Sequence, residues 1–363
     1  MISNQILQST IDGLKSITRK ELSVVEKEGK VIATTEENMI GRQIDAVENF
    51  ISSPAESQLI LGYQYFKIYD NGVPEYVIQV KGEDESGYQI GKIAAFQIQS
   101  LLVAYKERYD KDNFIKNLLL DNLLLVDIYS RAKKLHIENN VHRIVYLIET
   151  HIDKEMNVVE IVRSIFPAKT KDFVTAVDEH SIILVKELKE RETADEIDRI
   201  AKTIEETLNA ETNSNVYISS GTIVSDLKDV SRSYKEAKMA LEVGKIFETE
   251  KFIVNYEKLG IGRLIYQLPL PLCRMFIKEV LHGLTMDDFD DETLATVNKF
   301  FENNLNVSET SRQLYIHRNT LVYRLDKLQK MTGLDLRNFD DAIIFKITLM
   351  VSKYMMYMDK MTY

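Results

Sequence analysis

NVSETSRQLYIHRNTLVYRLDKLQK, residues 306–330, contains two short runs of helical periodicity joined by a turn. In the first run Ser308 is the predicted N-cap, and Ser311 supplies the small side chain that faces inward. Tyr315 occupies the turn position that glycine often holds. The second run repeats apolar residues on one helical face, at Leu321, Val322, Leu325 and Leu328. The pattern predicts a helix-turn-helix.

Polar side chains open the second helix, before its first buried residue. Arg318 and Asn319 belong to the residue types that read base edges, so base contacts are predicted for both. His317, Thr320 and Arg324 are predicted to contact phosphate or flanking groups. Tyr323, which also lies outside the apolar stripe, completes the predicted DNA-binding set.

The same stretch is basic within an acidic chain. It has five Lys and Arg against two acids, a net charge of +3, whereas the whole chain stands at −10. A local basic face favours contact with phosphate. Two ordinary core helices with a solvated polar rim would show the same periodicity, so periodicity alone leaves both interpretations open.

A longer run, YIHRNTLVYRLDKLQKMTGLDLRNFDDAIIFKITL over residues 315–349, resembles the C-terminal helix-turn-helix of the PucR/CdaR family of bacterial transcription regulators. IHRNTL, YRL, TGLDL and NFDD follow one another in the family's order. The resemblance implies a DNA-binding regulator, in most members an activator of a catabolic operon. Because one such unit covers about half a site, an operator with paired half-sites and a homodimer or higher oligomer are expected.

Length and composition predict a multidomain protein without a membrane segment. A chain of 363 residues suggests two or three domains, and 45% hydrophobic with 28% charged residues is typical of globular proteins. The single cysteine, Cys273, excludes an internal disulfide, which fits a reducing compartment. Residues 1–23 lack the apolar core of a signal peptide, and Lys346 and Lys353 interrupt the apolar segment 342–358. We therefore expect a cytoplasmic protein with no membrane partner.

Residues 1–135 are predicted to form a sensor domain that is PAS/GAF-like in shape. A helix over 2–20 precedes two hairpins that turn at Glu28-Gly29 and Asn71-Gly72, and a helix over 88–109 closes the unit. The order of elements resembles the sugar-diacid recognition domain of CdaR-type regulators. That resemblance implies that the domain binds a small organic acid as effector.

The predicted effector-binding residues are Thr34, Thr35, Gly41, Arg42, Gln43 and Gln64. Where the family has the Arg and His that would hold a dicarboxylate, this chain has Met39 and Ile44. A dicarboxylate needs cationic or backbone donors to replace its water, so Arg42 is the candidate substitute. The alternative is that Arg42 is a solvated surface residue and that the pocket is neutral or empty.

Residues 111–136 are predicted to form one long connector helix between the sensor and the rest of the chain. Its apolar surface is wide enough for pairing with a second subunit, and a buried interdomain helix is the alternative.

Residues 139–255 alternate strands and helices, as nucleotide cyclase folds do. SSGTIVSDLKDVSRSYKEAKMALEVGK, residues 219–245, resembles the degenerate GGDEF-like domain of the same regulators. In a cyclase the hairpin tip would hold metal and nucleotide, but here it reads Ala176-Val177-Asp178-Glu179-His180 without the two glycines. An acidic hairpin turn is therefore favoured over a paired-acid metal site. The six histidines lack zinc spacing, so no enzyme, cofactor or metal is expected.

The predicted fold class is therefore multidomain α+β. A sensor over 1–135 and a degenerate cyclase-like domain over 139–255 precede an all-α helix-turn-helix domain over 256–363, with a hinge at Pro269 and Pro271. The predicted function is an effector-responsive regulator of a carbohydrate or organic-acid catabolic operon. The alternative is a small-molecule sensor that signals through protein partners, with an altered ligand specificity.

Overall fold

A computed structural model describes residues 2–70, 72–150, 158–166, 171–189, 194–212, 215–248 and 251–361. The chain forms two compact units, residues 1–115 and 116–363. Each unit contains a β-sheet, and the C-terminal part of the second unit is all-helical. This arrangement confirms the multidomain α+β prediction. The predicted domains 139–255 and 256–363 both lie in the second unit, so the boundary between them stays a prediction.

The first unit contains a five-stranded antiparallel sheet in the order β2-β1-β5-β4-β3. Its elements are α1 (Asn4–Thr18), β1 (Leu22–Glu26), β2 (Val31–Thr34), α2 (Ala46–Ser52), β3 (Ser57–Ile60), β4 (Tyr63–Asp70), β5 (Val73–Lys81) and α3 (Glu85–Leu119). Gly29, with φ +91°, makes the tight turn between β1 and β2 that the sequence predicts. Of the second predicted turn, Asn71 lies outside the described residues.

Helices cover both faces of this sheet. Leu7 and Ile11 of α1 and Ile98 of α3 pack on one face, against a cluster that includes Val24 and Ile78. On the opposite face, Val47 and Phe50 of α2 pack against Val25, Tyr65 and Val77. The two clusters follow from the alternation of side chains along each strand.

The second unit starts at the last residues of α3 and continues with α4 and a second five-stranded sheet, in the order β10-β9-β6-β8-β7. Its elements are α4 (Leu125–Lys134), β6 (Arg143–Glu149), α5 (Val158–Ile165), β7 (Phe173–Ala176), β8 (Ser181–Glu187), α6 (Ala194–Thr212), β9 (Tyr217–Ser220), α7 (Val230–Phe247) and β10 (Ile253–Asn255). The pair β9–β10 is parallel, and the other pairs are antiparallel. Residues 151–157, which precede α5, lie outside the described residues.

Helix α7 packs closely on one face of this sheet. The hydroxyl of Ser219 donates to the carbonyl oxygen of Ala237 over 2.8 Å. A Cβ on Gly221 would lie 2.0 Å from the carbonyl oxygen of Ser233, so this approach requires glycine. The other face is covered by α5 and α6, through Val162 and Ile204 among others.

The C-terminal part of the second unit is helical. Its helices are α8 (Gly262–Tyr266), α9 (Leu270–Val280), α10 (Asp291–Glu302), α11 (Val307–Gln313), α12 (Arg318–Thr332) and α13 (Phe339–Met361). Pro269 is the N-cap of α9 and Pro271 lies in its first turn, so these prolines start a helix, and the hinge predicted there stays a prediction. Within the described residues, no helix has the length and apolarity needed to cross a bilayer.

The single connector helix predicted over 111–136 is wrong. Helix α3 ends at Leu119, Asp121 has φ +57°, and α4 starts at Leu125. A left-handed residue ends a right-handed helix because its carbonyl no longer points along the axis. Between the two helices and at the start of α4 several large apolar side chains are exposed: Leu120, Leu124, Leu125 and Val126.

Candidate nucleic-acid interface

Helix α11 is the first helix of the motif, and its cap differs from the prediction. Asn306 has extended backbone angles, and its side-chain oxygen accepts the N–H of Glu309 over 3.1 Å. Ser308 lies inside the helix, so the predicted Ser308 cap is wrong. Ser311 is 92% buried and faces inward as predicted, with its hydroxyl donating to the carbonyl of Ser308 over 2.9 Å.

The turn between the helices is closed at Tyr315, as the sequence predicts. Tyr315 has φ +53° and its side chain is almost fully exposed. The N–H of Ile316 donates across the turn to the carbonyl of Ser311 over 3.0 Å. The left-handed residue reverses the chain, and α12 starts two residues after Ile316.

The second helix, α12, is capped by an imidazole. His317 Nδ1 accepts the N–H of Asn319 over 3.2 Å, so in the neutral ring the proton resides on Nε2. That Nε2–H remains a donor on an exposed side chain. His317 therefore stabilises the start of the helix and offers a donor to an approaching anion.

The three residues after the cap are exposed and unengaged. Among the described residues, the side chains of Arg318, Asn319 and Thr320 form no ion pair or hydrogen bond with any other residue. Behind them, Leu321 and Leu325 are buried in the helical core. The structure therefore brings four predicted DNA-binding residues, 317–320, together at one exposed helix end.

Arg324 has a different environment. Its side chain is 84% buried, and it pairs with Glu292 and donates to the hydroxyl of Thr296 over 2.9 Å, both on α10. One turn later, Lys327 pairs with Asp290 over 2.8 Å. These bonds fasten α12 to the N-terminal end of α10. The predicted contact of Arg324 with phosphate or flanking groups stays a prediction.

Asp290 serves two elements at once. Its carboxylate accepts the N–H of Thr293 over 2.7 Å as the N-cap of α10, and it pairs with Lys327 of α12. The ammonium of Lys327, together with the hydrogen bonds from Thr293, holds the pKa of Asp290 well below its usual range. The cap and the ion pair are thus both present at neutral pH.

The acids of α10 change the charge predicted for the motif. Three of its five basic residues pair with acids, because Arg312 also pairs with Glu309 over 2.6 Å. Two of those acids, Asp290 and Glu292, come from α10 and not from the motif. Arg318 and Lys330 are the basic side chains of the motif without an ion pair among the described residues.

The predicted effector residues do not all meet in one place. Cross-strand neighbours project from the same side of a sheet. Thr34 is paired with Ser23, and their hydroxyls lie 2.8 Å apart on the side covered by α2. Gln64 is paired with Val80, on the side covered by α1 and α3. The sheet therefore separates the side chains of Thr34 and Gln64.

Thr35 and the segment Gly41–Gln43 lie at the edge strand. The hydroxyl of Thr35 donates to Glu21 over 2.6 Å, and the Gln43 amide donates to the carbonyl of Glu28 in the β1–β2 turn. Gly41 has φ +76° and begins the segment that pairs with Val31. Arg42 is exposed and has no carboxylate partner among the described residues, which leaves its charge available.

A polar row on the α2 side of the sheet was missed by the sequence reasoning. Register places Thr34, Ser23, Gln79 and Tyr65 side by side across four strands, and the last three are almost fully buried. The available signal was a single polar residue between apolar neighbours in each strand, Ser23 in β1 and Gln79 in β5.

Glu36 lies near the end of this row. Its carboxylate accepts from Lys81 over 3.1 Å and from the Tyr63 hydroxyl over 3.2 Å. Burial, then Glu36, raises the pKa of Tyr63, so this hydroxyl stays a donor at neutral pH. The second oxygen of Glu36 is buried without a hydrogen-bond partner among the described residues.

At the tip of the β7–β8 hairpin, the carboxylate of Asp178 is engaged by the backbone of its own turn. The carboxylate of Asp178 accepts the N–H groups of His180 and Ser181 over 2.9 and 2.7 Å. Burial opposes ionisation of Asp178, but the donors from His180 and Ser181 outweigh it and lower the pKa. No group of three metal-ligating side chains occurs in the described part of the chain. The tip is an acidic turn, as the sequence favours.

Two family models match this chain. One, described as the PucR C-terminal helix-turn-helix domain, matches residues 293–351, which include α11 and α12. The other, described as a GGDEF-like domain, matches residues 122–243, which include the β7–β8 hairpin and most of α7. The helix-turn-helix and the GGDEF-like domain predicted from sequence are thereby confirmed.

Curated relatives carry matching segments. The purine catabolism regulatory protein of Bacillus subtilis is 29% identical over 132 residues, 36% of this chain. The carbohydrate diacid regulator of Escherichia coli is 32% identical over 136 residues, 38% of this chain. The proline-responsive transcriptional activator PutR of Bacillus subtilis is 28% identical over 144 residues, 38% of this chain. The matched segments span 25%, 35% and 34% of these relatives' lengths.

Proposed function

We propose that this chain, which has the helix-turn-helix and GGDEF-like domains of the PucR and CdaR family of regulators, is an effector-responsive transcription regulator. One observation carries the proposal: residues 317–320 are exposed and adjacent at the start of α12, and the side chains of Arg318, Asn319 and Thr320 have no partner among the described residues. The positive end of a helix dipole favours backbone phosphate at that position. Arg318 and Asn319 contact base edges, and His317, Thr320 and Tyr323 contact phosphate or flanking groups.

The protein binds DNA as a homodimer or higher oligomer, so that two copies of α12 read paired half-sites. An apolar stripe on α3 supports pairing. Ile93, Phe96 and Val103 are each more than half exposed, at spacings of three and seven residues, whereas Ala94 and Ile98 face the sheet. A stripe with that spacing matches the seam of two packed helices.

The effector is a small organic acid that binds the first unit. The unpaired guanidinium of Arg42 supplies a cation beside Gly41 and Gln43, and Thr34 and Thr35 end the neighbouring strand. The name of the E. coli relative, a carbohydrate diacid regulator, supports an effector of this class. In this proposal the protein activates a catabolic operon in the cytoplasm; activation agrees with the name of the proline-responsive transcriptional activator, and catabolic control agrees with that of the purine catabolism regulatory protein.

The central domain is non-catalytic in this proposal. Asp178 accepts two N–H groups of its own turn, and neither residue before it in the tip is glycine. A phosphate therefore lacks the close backbone approach that a cyclase needs. The domain transmits the state of the sensor to the helical part of the chain.

DNA binding is tested with the full chain. Genomic fragments retained by the protein are sequenced, and affinities for retained and random duplexes are compared at several salt concentrations. Asn319→Ala should weaken binding to the retained duplex and leave random DNA unchanged, whereas Lys360→Ala on α13 should change neither. Equal affinity of the unaltered chain for retained and random DNA would refute sequence-specific regulation.

Effector binding is tested by thermal unfolding of the full chain with sugar diacids, glycerate and other small acids. A ligand present at about a hundred times its Kd adds about 2.7 kcal/mol of stability. Arg42→Ala should abolish the stabilisation. If a neutral compound stabilises the chain and the acids do not, the proposed effector class is wrong.

A further inference from the structure

A cleft of about 200 Å³ lies inside the second unit, between α7, α8, α10 and α13. Val243, Leu259 and Leu349 form an apolar floor, and all three are at least nine-tenths buried. Asn298, Lys346 and Lys353 stand exposed at its mouth. The cleft is distinct from the start of α12. It lies in the second unit, whereas Arg42 lies in the first.

Two cations stand at the mouth of the cleft. Lys346 and Lys353 are seven residues apart on α13, which places them on one side about 10 Å apart along the axis. Neither forms an ion pair with a described residue, although Nζ of Lys346 lies 5.1 Å above the ring of Phe301. Desolvation lowers the pKa of Lys346, and the like charge of Lys353 lowers it further, while the carboxylate of Glu302 opposes both effects.

The one carboxylate in the lining does not cancel this charge. Glu248 ends α7 and pairs with Lys251 over 2.9 Å. The remaining lining side chain with a polar group is Asn298, whose amide can donate to an anion. The apolar floor, the Asn298 amide and the two lysine cations together match a ligand with a hydrocarbon body and an anionic end.

We propose that this cleft binds a small carboxylate with an apolar body about the size of a benzene ring, as a second effector site. An apolar cavity of about 150 Å³ is sufficient for benzene, so the available volume accommodates a ring with a carboxylate. The carboxylate lies between Lys346 and Lys353, and the body packs on Val243 and Leu349. Binding removes apolar surface from water and gives the two cations a partner.

The cleft is joined to the recognition helix through α10. Asn298 lies on this helix, and the same helix holds Arg324 through Glu292 and Thr296. Leu349 packs in the core that also contains Leu321. A ligand that bridges α13 and α10 therefore contacts the helices that support α12. Its effect on α12 does not require the sensor.

The probe is benzoate, titrated into the full chain by calorimetry and compared with benzyl alcohol, which keeps the ring and lacks the charge. We expect saturable benzoate binding at least about tenfold tighter than that of benzyl alcohol, a difference of about 1.4 kcal/mol. Amide hydrogen exchange should slow in residues 243–262 and 346–353. Absence of saturable binding, or equal affinity for both compounds, would overturn the proposal.

Substitutions separate this cleft from the sensor. The double variant Lys346→Gln and Lys353→Gln should lose at least about tenfold in benzoate affinity, because the anionic end loses both cations. Both side chains are exposed, so the fold is retained, which an unchanged Tm verifies. Lys360→Gln on the same helix and Arg42→Ala should bind benzoate like the unaltered chain. Loss of binding in Arg42→Ala, with full binding in the double variant, would assign the ligand to the sensor instead.

Discussion

The start of α12 and the tip of the β7–β8 hairpin are both exposed polar turns, yet one is open and the other closed. In each, one side chain accepts a backbone N–H. At α12 this is His317, which precedes the candidate contact residues and leaves Arg318 and Asn319 free. In the hairpin it is Asp178, the candidate site residue itself. The side chains of a polar motif are therefore available for binding only where another residue accepts the free backbone N–H groups.

The largest expected effect concerns the packing that holds α12 in place. Leu325→Ala should destabilise the helical region by about 2–5 kcal/mol, because Leu325 is 99% buried and the substitution leaves a cavity. Urea unfolding measures the change. Val322→Ala, at a half-buried position of the same helix, should cost less. Equal losses for both variants would show that the buried face does not determine the position of the exposed one.

Arg318→Ala tests the exposed start of α12. Loss of a bidentate contact to guanine should cost about 1–3 kcal/mol in affinity for selected DNA and relax the preference at that base. Fluorescence anisotropy on matched and singly mismatched duplexes measures both effects. An equal loss on random DNA would make Arg318 a phosphate contact.

Asp178→Ala tests the tip of the β7–β8 hairpin. The variant leaves two N–H groups of the turn without their acceptor, so stability should fall by about 1 kcal/mol while DNA affinity stays unchanged. Thermal unfolding and the anisotropy assay report the two quantities. Glu179→Ala is the neighbouring control for loss of a carboxylate.

The contribution of Asp178 should depend on pH. Its folded pKa lies below the ordinary Asp value of about 3.9, so its stabilisation is present above that pH and is lost as the pH falls through the folded pKa. The stability difference between the unaltered chain and Asp178→Ala should therefore shrink below about pH 4. A difference that is constant from pH 7 to pH 3 would contradict this origin.

The smallest expected effect is at the turn before α12. Tyr315→Gly should stabilise the chain by less than about 1 kcal/mol, since relief of the left-handed backbone is partly offset by a more flexible unfolded chain. Gly333→Ala, at φ +80° after α12, should lose about 1 kcal/mol. Thermal unfolding compares the two, and destabilisation by Tyr315→Gly would show that the aromatic ring has a contact role.

Local features were predicted well because they depend on neighbours in the chain. The helix periodicity of residues 321–328 and the turn at Tyr315 are both present. The cap of α11 was assigned to Ser308 because both Asn306 and Ser308 are favourable cap residues, and only the backbone angles distinguish them. The break at Asp121 escaped detection because the leucines on both sides suggest one continuous apolar helix, although Asp121-Asn122 is a pair that favours turns.

Helical spacing and residue type are local properties, so the amino-acid sequence was sufficient to predict a helix-turn-helix with polar residues at the start of its second helix. Which of those residues are free depends on contacts from distant parts of the chain. Glu292 and Asp290 reach Arg324 and Lys327 from α10, more than thirty positions away, and no local pattern reports such a contact. Strand register likewise put Gln64 and Thr34 on opposite faces, because a face is assigned only once strands pair.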